Sequence, residues 1–230
     1  RWTNGNDDYE VVQFRSTMNP AFPQDEYERA QATLPAWKFA MFYMGEFTRP
    51  AGMIYDAFDF ERHIIPPFAI PDHWPRYGGL DFGGVNTAAI CFAQDPDTGV
   101  FYAIKEYHAG GKTSAEHADT LKRWGCRQWV GGAKSEGQWR LEFTNAGLQI
   151  TQPSVSEVEV GIDRVYGCHK NNEIYVFDTL SGYKDEKGRY SRELDQSGQP
   201  TEKIKDKNDY HIMDAERYII SYLAGNEWYF

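Results

Sequence analysis

At 230 residues the chain is long enough to bury a full core, and a composition 41% hydrophobic and 16% aromatic excludes disorder over most of its length. No run approaches the roughly 18 apolar residues of a bilayer span, residues 1–5 lack a signal-peptide pattern, and three cysteines without a CxxC exclude a zinc knuckle or disulfide framework. The net charge of −10 weighs against nucleic-acid binding, since phosphate affinity comes largely from Lys and Arg, yet residues 1–75, with eleven acidic and six basic side chains, supply −5 of it. The expected setting is the cytoplasm, with no membrane partner.

In chain order, residues 9–15 predict a strand, 24–34 a helix ended by Pro35, 37–47 a second helix and 54–58 a short strand or extended arm. Four prolines between 65 and 75 forbid a regular helix or central strand, and the domain boundary is placed there, dividing 1–75 from 76–230. Residues 77–82, 87–93 and 100–107 then predict a three-stranded antiparallel meander. Thr113 caps a helix over 114–124, followed by a strand at 128–131, a helix at 135–146, a short strand at 148–150, a helix at 156–169 and a strand at 173–177. The polar, turn-rich stretch near 178–207 predicts an exposed hairpin or mobile loop, and Asn208 or Asp209 caps a last helix over 210–223.

The chemistry-bearing residues sit in three of these elements. In Tyr77-Gly78-Gly79-Leu80-Asp81-Phe82-Gly83-Gly84 an aspartate ends an apolar strand between paired glycines, which admit a close approach by backbone or phosphate. Asp81 is either a metal ligand or a strand-end residue satisfied by a turn or an arginine. His211 and Asp214 are three apart on one helical face, followed by Arg217 and Tyr218, while Ile212, Ala215, Ile219 and Leu223 form an apolar stripe. Asp209 is an N-cap or a ligand, and the His211–Asp214 pair a ligand set or a surface contact. Glu136, just past the fourth strand, is a helix-start glutamate or a ligand. Carboxylates on the first strand, after the fourth strand and on a late helix converge in a ribonuclease-H-like fold, where such a cluster holds divalent ions.

In order and spacing, Tyr9-Glu10-Val11-Val12, Asn19-Pro20, Gly45-Glu46-Phe47, Gly79-Leu80-Asp81-Phe82-Gly83, Ser135-Glu136-Gly137-Gln138-Trp139-Arg140, Val160-Gly161-Ile162-Asp163-Arg164-Val165 and Asp214-Ala215-Glu216-Arg217-Tyr218 resemble the C-terminal portion of tailed-phage terminase large subunits over nearly the whole chain. The resemblance implies an α/β, ribonuclease-H-like mixed sheet, three antiparallel strands then parallel ones, flanked by helices. It implies an endonuclease using Mg²⁺ or Mn²⁺, two ions, to cut concatemeric double-stranded DNA at the start and end of packaging. Asp81 would bridge the ions, with Asp214, or Asp209 in its place, and Glu136 completing the shells and His211 as ligand or proton carrier. Many relatives carry an aspartate where this chain has Gly132 or Ala133, which is why Glu136 takes the second role.

Lys112, Arg127, Lys134, Arg140, Lys187 and Arg189 are the candidate DNA contacts. The implied partners are double-stranded DNA, the terminase small subunit and the portal protein, in the bacterial host's cytoplasm. Residues 1–75 resemble the tail of the motor ATPase and its linker, without nucleotide-binding motifs. Two rival readings are a resolvase or hybrid nuclease sharing the metal site, and a non-catalytic module docking on portal or small subunit.

Overall fold

The computed structural model describes residues 14–33, 39, 42–45, 52–83, 85–155 and 157–227. The chain divides into two compact units, one of residues 1–53 with 191–203 and one of residues 54–190 with 204–230. In the first, helix α1 (Gln24–Thr33) buries Ala30 and sets Tyr27 edge-on to Phe39 and Tyr43. The same unit holds all but the last residue of the hairpin of β7 (Arg192–Leu194) and β8 (Pro200–Ile204), whose turn is closed by Asp195 Oδ1 accepting from the amides of Ser197 and Gln199. The strand expected at 9–15 and the helix expected at 37–47 fall largely outside the described residues.

The second unit is built on a six-stranded sheet, β1 (Ile64–Ile65), β2 (Arg76–Asp81), β3 (Asn86–Gln94), β4 (Phe101–Gly110), β5 (Gln128–Gly131) and β6 (Ile174–Phe177), in the order β1-β6-β4-β3-β2-β5. The meander β2-β3-β4 is antiparallel, while β5 joins β2 and β6 joins β4 in parallel. Contacts divide the chain at 53/54, upstream of the proline-rich segment. Helix α2 (Phe60–His63) leads into β1, whose Ile64 and Ile65 pair with Val176 and Phe177, and Tyr55 and Phe58 are buried in the main core. Residues 54–57 form turns, and the expected strand at 148–150 reduces to one bridge between Val130 and Thr151.

Alternation along β3 sorts the two faces. Ala88, Ile90 and Phe92 join one core, with α5 (Val158–Lys170) and α7 (His211–Glu227); Ala89 and Cys91 join the other, with α3 (Ser114–Lys122) and α4 (Gly137–Asn145). Helix α3 starts at a full capping box, with Thr113 and Glu116 each accepting from the other's amide. Helix α7 buries Ile212, Met213, Ile219, Ile220 and Leu223, each contributing about 1.5–3 kcal/mol of apolar burial.

The closeness of α7 to the sheet explains the second glycine of Gly78-Gly79, while the first makes room for the Trp129 ring. A Cβ on Gly79 would lie 2.1 Å from the Ala215 carbonyl oxygen, so only glycine lets the helix backbone rest on β2. At Gly79 the close approach is backbone on backbone.

The polar run after 178 departs from expectation. Residues Ser181–Arg189 form helix α6, with Tyr183, Glu186 and Lys187 buried, and only the stretch beyond it is a hairpin. The carboxylate of Glu106 on β4 nucleates this helix, accepting from the amides of Gly182 at 2.9 Å and Tyr183 at 2.7 Å.

Candidate functional site

Asp81 is the last residue of β2, which lies between antiparallel β3 and parallel β5. Strand alternation turns its side chain to the α7 face, where only 8% of the residue remains exposed. An acceptor-only carboxylate there needs a donor, and His211, in the first turn of α7, supplies it: Nδ1 lies 2.8 Å from Asp81 Oδ2. Burial pushes the Asp81 carboxyl up to about 6; the hydrogen bond from His211 opposes the rise, and the charges of Asp214 and Glu136 reinforce it. The same hydrogen bond holds the His211 imidazole above its usual range.

Asp214, one turn after His211, accepts from Arg217 Nη2 at 2.7 Å and Nε at 3.2 Å. This fork fixes one carboxylate oxygen on its own helix. Glu136 is the N-cap residue of α4, and its Oε2 accepts from the Ala133 amide at 2.5 Å. Its field reaches Asp81, but its carboxylate closes the loop 133–136. Gly132 has φ +71°, and a Cβ there would meet the Phe82 ring at 2.3 Å, so no side chain fits. Asp209 is exposed in the turn Lys207–Asp209, with its field on Tyr210 and Arg189, and Tyr210, not Asp209, is the residue that precedes α7.

Among the described residues, no three His, Cys, Asp or Glu side chains form a ready-made metal cage. The donor chemistry nonetheless fits a divalent ion: two carboxylates and an imidazole from β2 and α7, hard oxygens with one nitrogen, beside the field of a third carboxylate.

The expected DNA contacts separate. Lys112 and Lys134 are exposed, Lys112 just past the end of β4 and Lys134 in the loop leaving β5, the sheet end where β2 stops at Asp81. Arg127 is at the opposite end, stacked on Tyr77 four residues before Asp81 and bonded to its hydroxyl. Arg140 is buried beneath the loop and donates to the carbonyls of Gly131, Gly132, Ala133 and Lys134, so its guanidinium builds the loop and is not free for phosphate. Lys187 is buried against Glu216 at 2.6 Å and cannot reach a strand. Arg189 is exposed and paired with Asp185 at 2.7 Å.

Two residues escaped the sequence reading. His108 faces Ala88, which faces Asp81, so the three share one row, and the His108 ring lies 5.6 Å from that of His211. Alternation along β4 carried that signal. Glu186 on α6 accepts from the amides of Ile212 and Met213 at the start of α7, and nothing local in the sequence marks it.

The fold recurs in solved structures. The nuclease domain of the P22 large terminase superposes with a TM-score of 0.61 at 25% identity, covering 74% of this chain and 92% of that one. This is the fold of phage large-terminase nuclease domains. The large-terminase nuclease domain of bacteriophage SPP1, solved with bound Mn, matches at a TM-score of 0.55 and 20% identity over 72% of this chain and 96% of that one. In sequence, the terminase large subunit of Escherichia phage T5 is 22% identical over 212 residues, which are 87% of this chain and 48% of that protein. The chain thus spans about half the length of the curated terminase it matches. No protein-family model matches it. The ribonuclease-H-like order, an antiparallel meander extended by parallel strands, is the one expected from the terminase resemblance.

Proposed function

We propose that the chain is the divalent-metal-dependent endonuclease portion of a viral DNA-packaging terminase, cutting concatemeric double-stranded DNA at packaging initiation and termination. The observation that carries this reading is the junction of Asp81 with His211, 130 residues apart in sequence, with Asp214 one turn further along the same helix. Asp81 and Asp214 would hold Mg²⁺ or Mn²⁺, with Glu136 near enough to add its charge. Bound there, two such ions supply Lewis acidity, activating a water and neutralising charge on the phosphodiester.

The protein's own groups then have defined tasks. Arg217 keeps Asp214 in one orientation, and Asp81 fixes the His211 ring through Nδ1, leaving Nε2 to exchange a proton at the substrate. Lys112 and Lys134 would draw the DNA backbone towards this end of the sheet. Working partners would be the small subunit and portal in the host cytoplasm. Residues 1–75 stand in this reading as the tail and linker of a motor ATPase.

Plasmid nicking in Mn²⁺, with and without chelator, tests the proposal. Asp81→Ala is expected to lower the rate by at least on the order of a hundredfold, since even outer residues of metal sites matter by 10–100-fold. Unchanged nicking by the variant would refute it. Linear duplex, a four-way junction and an RNA–DNA hybrid compared side by side should rank the duplex first.

A further inference from the structure

The helix that carries His211 and Asp214 takes its N-terminal cap from another element. Its first amides need acceptors. Glu186 Oε2 on α6 accepts two of them, from Ile212 at 2.8 Å and Met213 at 3.1 Å. The next residue, Lys187, bonds Glu216 Oε2 at 2.6 Å, and the Tyr210 hydroxyl donates to the Arg189 carbonyl at 2.9 Å. Helix α6 therefore grips α7 on both sides of Asp214.

Helix α6 is itself anchored to the sheet through the Glu106 carboxylate at its own N-terminus. Two carboxylate caps in series thus run from β4 to α6 and from α6 to α7. The second ends at the residues directly after His211 and before Asp214. A shift of about one ångström at such a point is enough to spoil a site that must hold its groups to about half that tolerance.

We propose that Glu186 is a positioning residue of the nuclease site, holding the first turn of α7 so that His211 meets Asp81 and Asp214 stays beside them. The proposal rests on the nuclease reading above. A glutamate that only stabilised the helix end would affect folding but not the metal requirement of the folded protein.

Glu186→Ala and Glu186→Gln in the full chain separate these roles. In Glu186→Ala, hydrogen exchange at the Ile212 and Met213 amides is expected to quicken at least about tenfold, with β3 amides unchanged. The Mn²⁺ concentration giving half-maximal plasmid nicking should rise about tenfold. Glu186→Gln, whose amide oxygen still accepts, should stay close to wild type in both. Wild-type Mn²⁺ dependence in a folded Glu186→Ala protein would overturn the proposal, as would unchanged exchange at 212 and 213. If Glu186→Ala does not fold, Glu186→Asp, one methylene too short to reach both amides, takes its place with the same expected rise and the same overturning result. A wild-type chain that nicks nothing at any Mn²⁺ concentration would instead sink the nuclease reading, a result seen before any variant is compared.

Discussion

Lys187 keeps 1% of its side chain exposed, and a charge so placed persists only with partners in contact. Its ammonium donates to Glu216 Oε2 at 2.6 Å and His169 Nε2 at 3.0 Å, and lies 4.0 Å from the centre of the Tyr55 ring. Burial, then the charge of Lys187, keeps His169 neutral and able to accept. The Tyr183 hydroxyl donates to the other Glu216 oxygen at 2.6 Å. Lys187→Met strands the Glu216 charge and should lower stability by about 3–5 kcal/mol in urea denaturation, with Lys187→Met/Glu216→Gln recovering part of the loss. The sequence alone suggested a DNA contact here because the surrounding run is polar; burial depends on Tyr55, Phe58 and Glu216, all remote in sequence. Asp81, by contrast, was legible because a carboxylate inside an apolar strand is anomalous within a few residues. His211 and Asp214 were legible from their three-residue spacing on a helix. Arg140 was misread for the same reason as Lys187, since the carbonyls that bind its guanidinium belong to a loop conformation.

At the scale of elements, the meander and the helices that follow were readable from alternation and caps. Helix α6 was not, because its nine residues include Gly182 and Gly188 and lack an apolar stripe, and its first amides are satisfied by Glu106 from a different strand. Strand β1 was hidden too, being two residues long at the edge of a proline-rich segment. The packing of α7 on β2 gives a sharp test. Gly79→Ala places a methyl against the Ala215 carbonyl and Ile219, which should lift the helix and cost about 1–3 kcal/mol of stability. Because His211 and Asp214 ride on that helix, nicking should fall more than the thermal midpoint suggests. Equal nicking at a temperature where both proteins are folded would contradict this coupling.

Over the whole molecule, a net charge of −10 makes carboxylate repulsion a standing feature of the metal-free protein. An ion that binds the folded chain relieves part of it. At about a hundred times its dissociation constant, Mn²⁺ should add about 2.7 kcal/mol, several degrees in thermal midpoint for a protein of this size. The rise should vanish in Asp81→Ala, and an equal rise in that variant would place the ion elsewhere. The junction of Asp81 with His211 carries one more consequence. Its halves leave the ribosome 130 residues apart, an interval on the order of ten seconds in a bacterium. If the junction is the cutting centre proposed above, a nascent chain can form its strands during that interval without one, and an unfinished copy, or one broken before α7, would be harmless to the DNA of the cell that makes it.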